Sequence, residues 1–397
     1  MEHFPRAGAK FFLYKSGVIL LLVAALSLGE VRALADQHSQ TLAASRAELS
    51  AARAGVSAAG QLPNPTFSAS YGEDDPKLQF GLDVKLPFLG QRSAAVRSAS
   101  ALARVAGAEV EVSRVALHAA VRRAFAAHWA ALQQARLAAD ASRLANDLAQ
   151  ATQERYRTGF VPQLDVEQAG LAAQKAEHDL RDRQAEAEAT ARELEALVGA
   201  AVDELAEPVD PQVPSVDELL GRLPQHPELA SLRFQEEAAR ARISEEKVAL
   251  VPLPVVTLTA ERFFDQTPIF GARVGVAFDL PVLSLNSGRI EQQEQAARKA
   301  SLLASAQRQH SEGQLRAARA RWAAAGERAR FFNGAFLQSA SRVLDMSKSG
   351  YRIGRTALIN VLQAEADFSA ARSRSVDAVV EAQKALADLE EALGADL

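Results

Sequence analysis

Seven histidines are the side chains of this sequence best suited to bind a metal or move a proton: His3, His38, His118, His128, His178, His226 and His310. Their spacing argues against both tasks. No two stand four apart on one helical run and none belongs to an HExxH-type grouping, so they read as surface or packing histidines. The absence of cysteine removes thiolate metal sites, disulfides and a cysteine-borne lipid anchor. No nucleophile elbow or phosphate-binding glycine loop occurs. The residues thus predict neither an enzyme nor a resident metal or cofactor. What recurs instead is a stretch at Tyr156–Val166 and again, 195 residues later, at Tyr351–Val361. In it Gly159 and Gly354 can take the positive φ at which a long helix stops. Asp165 and Asn360 open the following helices as N-terminal caps.

Each copy of that stretch must be placed by two long helices. Residues 90–155 contain no proline, and apolar residues such as Val115, Val121, Phe125, Trp129 and Leu132 recur every three to four positions. One helix of this span is roughly 100 Å long at ~1.5 Å per residue, too long for a compact globule. It predicts a coiled coil or helical tube. After the reversal, residues 164–199 form a second helix running back along the first. Trp129 and Trp322 occupy equivalent helical positions and read as interhelical packing.

Upstream of each hairpin the period changes from helix to strand. Phe67, Ala69 and Tyr71 alternate with polar neighbours, as do Phe80, Leu82 and Val84. In the second copy Val256 and Leu258, then Val274, Val276 and Phe278, alternate in the same way. Four amphipathic strands cannot close a barrel alone, and an open edge is not tolerated in lipid. Several protomers pooling strands would solve this, with Phe67, Tyr71, Phe80, Leu82, Val84, Val256, Leu258, Val274, Val276 and Phe278 as the lipid-facing set. An ordinary soluble sheet resting on helices is the alternative.

The N-terminus carries Arg6, Lys10 and Lys15, then an apolar run, then Ala33-Leu34-Ala35, the pattern of a secretory leader cleaved before Asp36. The expected organisation is a leader at 1–35, a first repeat at 36–199, a proline-rich linker at 200–227 and a second repeat at 228–397. A net charge of −4 offers no footprint for nucleic acid.

Taken together these residues resemble the TolC-like outer-membrane efflux family. The resemblance rests on Pro-x-Pro before each strand pair (Pro63–Pro65, Pro252–Pro254), Leu-Pro after each second strand (Leu86-Pro87, Leu280-Pro281) and the paired tips. Gly60–Pro65, Leu86–Arg92 and His226–Leu229 are most similar to the heavy-metal (cobalt-zinc-cadmium) resistance branch. The resemblance implies a mainly α protein with long antiparallel helical hairpins forming a periplasmic tunnel. Four strands per protomer would contribute to a 12-stranded outer-membrane β-barrel in a homotrimer. It further implies a periplasmic adaptor (membrane fusion protein) and an inner-membrane resistance-nodulation-division (RND) pump as partners, with outer-membrane lipid around the barrel. Thr158-Gly159-Phe160 and Ile353-Gly354-Arg355 match the adaptor-contacting triplet, of which only the glycine is kept in both. Asp165, Tyr351, Asn360 and Gln363 match the tunnel gate. Asn360 and Gln363 are neutral where the family is often acidic.

The function expected is the exit duct of a tripartite exporter of heavy-metal cations. A drug-efflux or type I secretion conduit of the same family is one alternative, and a soluble periplasmic coiled-coil scaffold or adaptor is another.

Overall fold

The computed structural model describes residues 25–74, 76–87, 89–202, 204–209, 211–263, 269–278 and 285–397. In chain order the elements are α1 (Leu28–His38), α2 (Gln40–Ala59), β1 (Thr66–Tyr71), β2 (Leu78–Lys85), α3 (Gln91–Arg157), α4 (Gln163–Val198), α5 (Val216–Arg222), α6 (Pro227–Val248), β3 (Pro254–Phe263), β4 (Ile269–Phe278), α7 (Ser287–Phe331), α8 (Leu337–Arg352) and α9 (Leu358–Leu393). The chain is mostly helical with four antiparallel strands, as its two periodicities require. It divides into two compact units, and each sequence repeat contributes to both. One unit holds residues up to 43, 113–223 and 311–397; the other holds 44–112 and 224–310.

In the first unit four long helices lie side by side. His128 Nδ1 of α3 meets Thr190 Oγ1 of α4 at 3.1 Å, and Gln134 of α3 donates to Ser373 Oγ of α9 at 2.9 Å. Trp322 and Ala325 of α7 pack on Ala382 and Ala385 of α9. The order is therefore α4, α3, α9, then α7 continuing into α8. Small residues at these contacts, Ala325 and Ala382 among them, allow close approach because interaxial distance follows side-chain size. Between α7 and α8 the helix widens into a π-turn at Phe332–Phe336, where Gly334 leaves helical geometry (φ −97°, ψ −123°).

Charged groups are buried in this unit, and each has partners. Arg122 grips Glu390 with two hydrogen bonds of 2.9 and 2.8 Å and gives a third to Gln383 at 2.8 Å. Arg32 of α1 adds a second cation on Glu390. Such a cluster holds only while paired, because a lone buried ion costs several kcal/mol. His118 sits between Asp396 at 2.9 Å and Asp36 at 3.1 Å. Burial alone would lower its pKa, but these two carboxylates outweigh burial and leave the imidazole above its usual value.

This arrangement reaches into the segment expected as a leader. Of the expected leader, residues 1–24 lie outside the described residues, but 25–35 are built into the unit. Val31 and Ala35 are fully buried, Ser27 caps α1 in a capping box with Glu30, and Leu26 bonds to the backbone on either side of Leu205. A leader ending at Ala35 would remove Arg32 from Glu390. The apolar pattern of residues 28–35 belongs to a packed helix, which a leader's tail imitates in composition. Ser39, whose backbone is extended (φ −63°, ψ 121°), separates α1 from α2.

In the second unit the strands form one antiparallel sheet in the order β1-β2-β3-β4. β2 of the first repeat pairs with β3 of the second, leaving β1 and β4 as the two edges. Register sorts the faces: Phe67, Leu82, Leu258 and Val274 stand in one cross-strand row, and Val84, Val256 and Val276 in another. The opposite face carries rows such as Asp83-Thr257-Gly275 and Gln79-Glu261-Gly271. Leu280-Pro281 and part of the β3–β4 connection lie outside the described residues.

Candidate functional site

The two turns between long helices are built alike. Gly159 and Gly354 sit at φ 74° and 75°, the left-handed region expected of them. Around each the backbone closes a Schellman motif. Phe160 N–H donates to Arg155 O and Gly159 N–H to Tyr156 O, both at 2.9 Å; Arg355 N–H donates to Gly350 O at 2.9 Å and Gly354 N–H to Tyr351 O at 3.0 Å. The flanking residues project outward: Phe160 is 76% exposed and Ile353 66%, with Thr158 and Arg355 exposed beside them. Leu164 and Ile359, on the first turns of α4 and α9, are also exposed. Apolar side chains clustered and bared at the helix ends mark a contact surface.

Asp165 and Asn360 are not the caps they were expected to be. Pro162 and Ala357 hold the N-cap positions, neither with a side-chain hydrogen bond, so the helices begin three residues earlier than the carboxamide and carboxylate suggest. Both residues occupy the third helical position instead, where the Asp165 charge complements the helix dipole.

Tyr351 is buried. Its hydroxyl meets Thr152 Oγ1 of α3 at 3.2 Å, and the Arg155 guanidinium lies 4.7 Å over its ring while bonding Tyr351 O at 3.2 Å. It therefore joins the α3 and α8 ends of the two hairpins; among the described residues no hydrogen bond links it to Asp165. Asn360 and Gln363 are exposed on α9, and Gln363 donates to Asp367 at 3.0 Å. Nearby, Glu365 is half-buried, and burial raises its pKa against the lowering charges of Lys348 and Arg372. Sequence reasoning passed over Gly350, where an added Cβ would collide with Thr356 Oγ1. The first repeat has Arg155 at that place, so nothing in the pairing of copies marked it.

In the sheet, the ten apolar positions share one face. Phe67, Tyr71, Val274, Val276 and Phe278 are exposed, while Leu82, Val84 and Val256 are half-covered. At one end of this face Tyr71, Leu78, Arg262 and Phe270 form a row, with Arg262 over the Phe270 ring at 5.4 Å. Aromatic rings and a long cation at the margin of an apolar band suit a membrane–water interface.

Among the described residues no group of three or more histidine, aspartate or glutamate side chains is placed to hold a metal ion. Of the buried histidines, His118 is held by Asp36 and Asp396, His128 by Thr190, and His226 caps α6 by accepting from Glu228 N–H. No described helix is long and apolar enough to cross a membrane.

Residues 31–200 and 222–395 match the outer membrane efflux protein family. The chain belongs to that family. A relative within it is the cobalt-zinc-cadmium resistance protein CzcC of Cupriavidus metallidurans, 25% identical over 380 residues, covering 93% of this chain and 90% of the relative. Among solved structures, the outer membrane protein VceC of Vibrio cholerae aligns with a TM-score of 0.71 at 20% identity, over 93% of this chain and 96% of that one. CusC, described in terms of transmembrane channel formation, aligns at 0.73 and 17% identity over 99% of both chains. The resemblance read from the sequence thus holds, and the efflux-family fold accounts for long helices and four strands in one chain.

Proposed function

We propose that this efflux-family chain is the outer-membrane exit duct of a tripartite RND-type system, working as a homotrimer and exporting heavy-metal cations. The carrying observation is the sheet: one face is apolar and exposed, and among the described residues the outer edges of β1 and β4 have no strand beside them. Four strands cannot satisfy their edges in hydrocarbon, and the smallest membrane barrels have about eight. Three copies joined β1 to β4 make twelve strands with no free edge. The exposed apolar tips supply a docking surface for a periplasmic adaptor. Asp165, Tyr351, Asn360 and Gln363 form the gate region, Tyr351 by locking the two hairpins of each protomer together. The metal cargo is supported by the relation to CzcC. No step needs a catalytic group, so the duct is not an enzyme.

Purified protein in detergent is expected to have a trimeric mass and to give discrete conductance steps in planar bilayers. Deletion of the gene is expected to sensitise cells to cobalt, zinc or cadmium. A monomer without conductance refutes the duct. A trimeric channel whose loss leaves metal tolerance unchanged refutes the cargo and favours a drug or polypeptide conduit, which the neutral Asn360 and Gln363 suit.

A further inference from the structure

The four-helix row of the first unit ends on α4 at one side and on α7–α8 at the other, and these outer helices are oppositely charged. α4 carries nine carboxylates against four cations, a net of −5. Residues 311–352, the part of α7–α8 in this unit, carry eight cations against three carboxylates, a net of +5. The two helices also bear matching stripes. On α4, Leu171, Glu186 and Glu193 are exposed and fall within about 60° of one another around a helix of ~100° per residue. On α7–α8, Val343, Arg328 and Arg321 are exposed. Both stripes have spacings of fifteen and seven residues, counted away from the tips.

The stripes lie at matching heights. Arg155 and Tyr351 tie the two turns to a common level. Leu171, Glu186 and Glu193 follow Gly159 by 12, 27 and 34 residues; Val343, Arg328 and Arg321 precede Gly354 by 11, 26 and 33. Each pairing agrees to within about a helical turn at ~1.5 Å per residue. Rotation about an axis along the helices preserves height, so a second copy brings Arg321, Arg328 and Val343 opposite Glu193, Glu186 and Leu171 of the first.

We propose that α4 of one protomer docks on α7–α8 of the next through a seam formed by Glu193–Arg321, Glu186–Arg328 and Leu171–Val343. The seam is heterologous, and the threefold rotation of the proposed trimer closes it into a ring. It rests on the trimer proposed above and specifies how its helical part is joined. One apolar contact sets the fit, while the charges fix order and reject head-to-head pairing.

Because the chain has no cysteine, the test is clean. Glu186→Cys with Arg328→Cys, oxidised in native membranes, is expected to give dimer and trimer bands on a reducing-sensitive gel, and either single variant none. Arg328→Glu is expected to speed subunit exchange about fivefold at low salt, as for an exposed ion pair, with Glu186→Arg in the same chain restoring it. Cross-links equally strong in the single variants, or their absence from a double variant that remains trimeric by mass, overturn the seam and leave the trimer standing. Unchanged exchange in Arg328→Glu also overturns it. Wild-type protein that is monomeric refutes the underlying trimer instead.

Discussion

Val274→Arg is the sharpest perturbation of the strand assignment, because register places Val274 midway along the apolar face. From Phe270 to Phe278 the strand rises about 27 Å at ~3.4 Å per residue, or about 20 Å in height at a tilt of ~40°. That approaches the ~25 Å apolar band of an outer-membrane barrel, so Val274 falls near the bilayer midplane. An arginine there costs about 2–4 kcal/mol per protomer, against about 0–1 kcal/mol near the interfaces. Summed over three protomers, Val274→Arg removes roughly 6–12 kcal/mol from the assembled barrel, while Phe270→Arg and Phe278→Arg remove little. Thr257→Arg is the matched control, since Thr257 lies on the opposite face opposite Asp83. The assay is urea unfolding of protein folded into vesicles, followed by the heat-modifiable shift on a gel. Equal losses for Val274→Arg and Thr257→Arg, or a flat profile from Phe270 to Phe278, would sink the reasoning.

Three further outcomes are expected. Gly354→Ala forces an L-residue to φ 75° at about 1–2 kcal/mol and lowers the melting temperature without changing the oligomer; an unchanged melting temperature contradicts the Schellman geometry. The His118–Asp396 pair gives a stability maximum. The His118 pKa is raised by its carboxylates, so its contribution is full below about 6.5 and lost as pH rises through the folded value. The Asp396 pKa is lowered, burial's upward push being outweighed by His118, Arg32 and Arg114; its contribution is full above about 3.8 and lost as pH falls through the folded value. Melting curves from pH 4 to 9 should therefore decline on the alkaline side, and His118→Gln should flatten that decline. Finally, Edman sequencing of exported protein should find a start upstream of Leu28, after Val23-Ala24-Ala25; a start at Asp36 contradicts the Arg32–Glu390 pairing.

Much of this fold is legible because its signals are local. Gly159 and Gly354 declare their turns through a backbone region that other residues avoid, and the strands declare themselves by alternation. The β2–β3 pairing was not legible, since it joins residues about 170 apart and no short-range pattern encodes it. Residues 28–35 are ambiguous in sequence because a leader and a packed helix draw on the same small apolar residues; Arg32, a cation with a buried partner in Glu390, is the feature that speaks for the helix. The caps of α4 and α9 lie three residues before Asp165 and Asn360, because those residues imitate caps while Pro162 and Ala357 hold the position without a side-chain bond. Of the gate set, Tyr351 could be placed on a helix end, but its partner Thr152 lies in the other repeat.

The π-turn at Phe332–Phe336 carries a historical meaning. From Trp129 to Gly159 the first repeat spends 30 residues, and from Trp322 to Gly354 the second spends 32. An ordinary helix lengthened by one residue would swing everything beyond it through ~100° and turn its tip away from its twin. A wide turn with i→i+5 bonding takes up about one of these two surplus residues locally. Divergence after duplication could thus alter the length of one arm without losing the alignment of the two ends, and the bulge records where that insertion was absorbed.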